Sequence, residues 1–191
     1  MSFFVKGVVF NLLESFICDG WGDETYESIL TLCPLQTKDP FVGPGTYPDA
    51  DLFTIASKAA QMLELPLPDA LRAFGRYCFP RLVAKVPHLV DQAGGAMAFL
   101  LTVDSTIHIE VRKLMPRAIT PRFEFREAVG GKVRLTYHSK RNLCAFMEGL
   151  LLGCADHFGE SVVYEQLACA HDGADGCLYD VEFSGHAEDA A

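Results

Sequence analysis

The spacing of apolar residues changes once along this 191-residue chain, and that change limits what it can fold into. From Val5 to Ile17, the residues Val5, Val9, Leu12, Leu13 and Phe16 recur at helical intervals, so one face of a helix is apolar. Cys18-Asp-Gly predicts the end of that helix, and a short helix is expected over 23–33. Pro40, Gly43, Pro44 and Gly45 make the stretch from Pro34 to Tyr47 a loop. Asp49 is placed to cap a helix carrying Leu52, Ile55, Ala59 and Met62. Asp69 opens another, running through Leu71, Phe74 and Cys78 towards Leu82, and two more are expected near 88–101 and 104–115.

After Pro116 the period falls to two. Phe123-Glu-Phe-Arg-Glu127 and Val133-Arg-Leu-Thr-Tyr-His-Ser139 alternate on either side of Gly130-Gly131, which predicts a β-hairpin. A helix from Arg141 to Phe158 follows, then strands near 161–169 and 177–183 around the turn-forming stretch His171-Asp-Gly-Ala-Asp-Gly. The fold class expected is therefore α+β: an N-terminal helical block, then an antiparallel β-meander with one inserted helix. A single domain over 1–183 is expected, with a disordered tail at 184–191.

Composition narrows the function classes. Half the residues are hydrophobic and 21% are charged, as in a globular domain with a sizeable core. A net charge of −9 argues against nucleic acid or anionic lipid as a main partner, since both need clustered Lys and Arg. No stretch approaches the roughly 20 apolar residues of a membrane span. Glu14 interrupts the apolar start, and no small-residue cleavage site follows, so the first segment reads as a helix and not as a signal peptide. The cysteines number seven, an odd count, and this favours reduced thiols in a cytoplasmic protein over a disulfide framework.

Two groups of residues carry chemistry. Tyr137, Ser139 and Arg141 stand at i, i+2 and i+4, a spacing that on a strand sends two hydroxyls and a guanidinium to one face. Such donors suit a carboxylate or phosphate, and the apolar Val133 and Leu135 upstream suit an anion with an apolar body. The same pattern also fits a core tyrosine, a surface serine and an arginine paired with an acid. Cys169 and Cys177 bracket the last turn, and Cys144 lies near the start of the preceding helix. Three converging thiols could hold Zn²⁺, which usually takes four ligands; free thiols or a redox pair are the alternatives. Cys18, Cys33 and Cys154 read as core thiols.

Tyr137-His-Ser139-Lys-Arg141 resembles the haem-propionate clamp of the H-NOX (haem nitric oxide/oxygen binding) family, shared by bacterial gas sensors and soluble guanylate cyclase. Asp104-Ser-Thr-Ile-His108-Ile-Glu-Val resembles the segment bearing that family's proximal histidine. Pro121, thirteen residues later, matches a proline that presses on the haem. Lys6-Gly-Val-Val-Phe-Asn-Leu-Leu-Glu14 and Leu71-Arg-Ala-Phe-Gly-Arg-Tyr-Cys-Phe-Pro80 resemble the first helix and a distal-side helix. The matches run in order from about residue 5 to 183.

The resemblance implies a non-enzymatic gas sensor with haem b buried between a helical subdomain, about 1–65, and a clamp subdomain, about 66–183. It makes His108 the iron ligand, although from the residues alone such a histidine more commonly bonds a nearby carbonyl. His138 would face the opposite side of its strand from the clamp, and His186 lies in the tail. Phe146 stands where O₂-binding relatives carry a tyrosine, and Val9, Leu13, Cys78 and Leu150 complete an apolar distal lining. The resemblance thus implies NO and CO as ligands and no stable O₂ complex, unless Tyr77 turns inward. NO would weaken the bond to His108, its helix would shift, and Pro121 would stop distorting the haem. A partner, typically a histidine kinase or a cyclic-di-GMP enzyme (diguanylate cyclase or phosphodiesterase), would read the change. Some NO-sensing relatives also carry zinc on the three cysteines, with a histidine where this chain has Gln166.

Overall fold

The computed structural model describes residues 4–114, 119–129 and 132–185, without the side chains of Glu110, Val111 and Leu114. The expected turn at Gly130-Gly131, the break at Pro116, His186 and most of the expected tail lie outside them. Two compact units make up the chain, residues 1–74 and 75–191.

In the first unit, strand β1 (Phe4–Lys6) pairs antiparallel with β2 (Thr46–Pro48), and helices α1 (Gly7–Trp21), α2 (Asp23–Thr31) and α3 (Asp49–Met62) pack around Phe10, Leu13, Ile17, Ile29 and Ile55. Helix α1 runs through the expected stop at Cys18-Asp-Gly and ends at Trp21. The next residue, Gly22, takes φ +89°, a conformation that costs glycine little. The 34–47 loop is held from inside: buried Asp51 accepts the N–H groups of Gln36 (2.8 Å) and Thr37 (2.9 Å). Burial alone would raise the carboxyl of Asp51, but a side-chain hydrogen bond from Thr37 and these two backbone bonds together outweigh it and hold the group below the usual range. Asp49, expected as the cap of α3, is instead its first helical residue, with Pro48 at the cap position.

Helix α4 (Leu67–Val83) runs into the second unit. The helix expected near 88–101 is in fact two, α5 (Pro87–Asp91) and α6 (Ala96–Thr102), because Gly94 and Gly95 (φ +70° and +151°) break the chain between them. Glu160 restarts it by accepting the Ala96 N–H at 2.9 Å, which satisfies one of the orphan donors at the start of α6. A π-helical turn (Val103–Ile107) leads directly into α7 (His108–Leu114).

Strands β3 (Arg122–Glu127), β4 (Val133–His138), β5 (Ser161–Ala168) and β6 (Cys177–Ser184) form an antiparallel sheet, with helix α8 (Cys144–Phe158) between β4 and β5 in sequence. The strand order is β3-β4-β6-β5, so it is not a simple meander: the last strand enters between β4 and β5. Leu135, Tyr137, Cys177, Tyr179 and Val181 point to the inner face and pack with Leu100, Cys144, Met147 and Leu151. The outer face carries ion pairs, among them Arg134–Asp180 at 2.7 Å. No helix among the described residues is long and apolar enough to cross a membrane.

Candidate functional site

His108 opens α7 immediately after the π turn. Its side chain is 15% exposed, and its Nδ1 is buried with no hydrogen-bond partner. The nearest acid, Asp104, lies one turn back with Oδ1 at 3.6 Å from Nδ1, too far for a hydrogen bond. Burial lowers the imidazole's pKa from its ordinary value, and although Asp104 and the Pro121 backbone act in the opposite sense, the ring is held neutral. A neutral, buried imidazole with an unmatched nitrogen is poised to engage something else. Nδ1 itself has no carbonyl partner, while the Pro121 backbone lies close enough to act on the ring.

Around that ring the sheet supplies aromatic surface. Phe123 of β3 lies 5.6 Å from the His108 ring and 5.4 Å from that of Tyr137, centroid to centroid. Tyr137 is 4% exposed, and burial pushes its phenol up to about 12, so it remains a neutral donor. The strand ends at His138, which corrects the expectation that Tyr137, Ser139 and Arg141 share one strand face. Only Tyr137 lies on the ladder. Ser139 and Arg141 belong to the turn that follows, where the Ser139 hydroxyl accepts the Arg141 N–H (3.2 Å). The guanidinium donates to the Ile119 carbonyl at 3.1 Å. The three donors are thus close in sequence but are set by a turn. His138 faces the outer side, with Nε2 3.7 Å from Glu124. Pro121 immediately precedes β3 and is half-buried.

Helices α4 and α8 meet backbone to backbone. A Cβ on Gly75 would lie 2.2 Å from the Phe146 carbonyl oxygen and 3.1 Å from the Leu150 nitrogen, and one on Gly153 would lie 2.6 Å from the Phe79 Cβ. Cys78 is buried one turn beyond Gly75, and burial pushes its thiol up to about 12. Phe146 and Leu150 are half-buried on α8. Tyr77 lies with its ring under the exposed guanidinium of Arg81, 3.4 Å from Arg81 Cζ. Val9 (half-buried) and Leu13 (buried) lie on α1 in the first unit.

The three cysteines converge. Cys169 Sγ stands 4.0 Å from Cys144 Sγ and 3.8 Å from Cys177 Sγ, and all three sulfurs lie within 4.8 Å of one another. Burial, and then the neighbouring sulfurs, push Cys144 and Cys177 up, Cys177 to about 12. Among the described residues, no fourth ligand joins them. Gln166, opposite Tyr179 on the β5–β6 ladder, donates from Nε2 to the Tyr179 hydroxyl (2.7 Å), which in turn donates to buried Glu148 (2.8 Å). His171 Nε2 meets the Asn142 carbonyl at 2.9 Å. The residues present therefore do not fit a four-ligand zinc site. Sequence reasoning missed this Gln166–Tyr179–Glu148 chain, although a lone carboxylate in the apolar run from Cys144 to Cys154 was its signal.

The sequence family described as haem-NO-binding matches residues 6–166. No curated protein sequence matches the chain. Among solved structures, an H-NOX protein from S. oneidensis in the Fe(II)NO ligation state is 29% identical with a TM-score of 0.87, the match covering 95% of this chain and 100% of that one. The H-NOX from Shewanella woodyi, bound to IWP-051 in the Fe(II)CO state, is 30% identical with a TM-score of 0.80, covering 98% and 97%. An H-NOX protein from K. algicida, 22% identical over 96% of this chain and 98% of its own, shares the fold at a TM-score of 0.87. The ordered motifs, the helical block and the sheet with its inserted helix agree with these matches: the chain belongs to the haem-NO-binding family and has the H-NOX fold.

Proposed function

We propose that this chain is a haem-based sensor that binds NO and CO at ferrous iron, forms no stable O₂ complex, and passes its state to a partner protein. The observation that carries the reading is His108, whose buried, neutral imidazole has an unpartnered Nδ1. The residues fit a flat, dianionic porphyrin: His108 as the iron ligand, Tyr137, Ser139 and Arg141 as donors to its carboxylates, and Pro121 against its plane. The resemblance assigns Val9 and Leu13 to the same apolar distal wall as Cys78, Phe146 and Leu150. Ferrous haem supplies the metal position at which the two gases bind. The H-NOX proteins from the two Shewanella species, solved with NO or CO on Fe(II), support that choice of ligands.

Gas selectivity comes from what Cys78, Phe146 and Leu150 lack. Bound O₂ draws negative charge, and a hydrogen bond to it is worth about 1.5–3 kcal/mol if it resembles one to a charged group. Phe146 and Leu150 carry no donor, the Cys78 thiol is a weak one, and Tyr77 is engaged with Arg81. Signal transmission rests on α7. His108 holds that helix in place while its imidazole is engaged, and the π turn at Val103–Ile107 offers a local register change when it is not. A partner can respond only by binding one state better than the other. A histidine kinase or cyclic-di-GMP enzyme fits that role, as the resemblance implies.

An absorption spectrum of the purified protein, with and without NO, tests the reading. His108→Ala should lose haem unless imidazole is supplied; unchanged haem content would sink the ligand assignment. A second reading, a thiol redox sensor, is favoured by the convergence of Cys144, Cys169 and Cys177. A colourless protein whose clustered thiols oxidise and reduce reversibly would support it instead.

A further inference from the structure

The three-cysteine cluster is unused by the gas-sensing reading and, among the described residues, has no fourth protein ligand. Among the described residues, no histidine or carboxylate atom lies within 4.8 Å of all three sulfurs. Both candidates near it are committed elsewhere, Gln166 to Tyr179 and His171 to the Asn142 carbonyl. The sulfur spacing does not by itself choose an ion. Zn–S bonds of about 2.3 Å span a tetrahedral edge of about 3.8 Å, close to what is seen. Ligand count and charge do choose. Zinc on three thiolates leaves a net negative charge and an open position. Cys144 (8% exposed) and Cys177 (1%) are buried, where an unpaired charge is costly.

We propose that Cys144, Cys169 and Cys177 form a complete three-sulfur site for a trivalent, three-coordinate thiophile of the arsenite class, and not an unfinished zinc site. The exchange is As(OH)₃ + 3 R–SH → As(SR)₃ + 3 H₂O. Three As–O bonds break and three As–S bonds form, and each thiol proton leaves on a departing hydroxide as water. Nothing is oxidised or reduced, and the product is neutral, which suits a buried site. Three sulfurs satisfy the ion, so neither Gln166 nor His171 has to leave its partner. Cys177 pairs with Tyr137 on the β4–β6 ladder, so the site adjoins the clamp, yet its chemistry needs no haem.

The test uses the reduced, chelator-treated full chain. Sodium arsenite should bind one per chain by mass spectrometry and protect three of the seven thiols from a thiol reagent. Cys169→Ser, chosen because Cys169 is the least buried of the three, should weaken arsenite binding at least tenfold, and Cys169→Ala should do the same if the serine variant folds poorly. Gln166→His should raise zinc affinity at least tenfold, measured against a chromophoric chelator, and leave arsenite binding unchanged. Arsenite held no more tightly by the wild type than by the Cys169 variants would overturn the proposal. So would wild-type zinc affinity equal to that of Gln166→His. Haem content is read separately by absorbance, so failure of either proposal is distinguishable from failure of the other.

Discussion

Gly75→Ala sets two effects against each other, and their magnitudes decide its sign. In an isolated helix the change is favourable, by about 0.8–1 kcal/mol, because alanine loses less backbone entropy. Here the new Cβ would lie 2.2 Å from the Phe146 carbonyl oxygen, about 1.2 Å short of ordinary contact, which begins at 3.4 Å. It would also crowd the Gly149 Cα at 3.0 Å. The obstacle is the backbone of α8, which cannot swing aside as a side chain can, so α4 and α8 must separate. Overpacking costs about 1–3 kcal/mol, and a backbone clash belongs at the upper end. The net expectation is a destabilisation of about 2 kcal/mol, or a Tm lowered by roughly 4–8 °C for a chain of this length. Thermal unfolding of the haem-loaded protein followed by far-UV circular dichroism measures it. Because Phe146 and Leu150 stand at the contact, the variant should also alter the rate of CO rebinding after photolysis. A Gly75→Ala protein that melts at or above the wild-type temperature would show that the helices do not meet in this way.

Two other substitutions test separate parts of the reasoning. Phe146→Tyr places a phenol on the distal wall and should raise O₂ affinity about 10–150-fold at 1.4 kcal/mol per decade, read from oxygen titration of the ferrous protein; an unchanged affinity would remove Phe146 from the wall. Asp51→Ala strips the acceptor from Gln36 and Thr37 and should cost roughly 2–4 kcal/mol in urea unfolding at pH 7. Since the folded carboxyl of Asp51 is held below its ordinary value, its contribution is complete above that value and fades as pH falls through the lower one. The gap between wild type and variant should therefore stay level from pH 5 to 8 and narrow below about pH 4; a gap that widens in acid would contradict the assignment.

Much of this protein could be read from its sequence. Helical and alternating spacings are written into windows of a dozen residues, so α1, α4, α8 and the strands from β3 to β6 fall close to where the pattern places them. The ordered segments around Val9, Phe74, His108, Pro121 and Tyr137 are likewise enough to indicate the family. What the tertiary structure alone decided concerns partners distant in the chain. It set the strand order that brings Cys177 beside Tyr137, the break at Gly94-Gly95 sealed by Glu160, and the end of β4 at His138 that leaves Arg141 on a turn. It also committed Gln166 to Tyr179 and His171 to Asn142. Local pattern fixes which face a side chain takes, because the backbone period is local. Which group meets it there depends on how remote elements pack, and no short window of sequence records that.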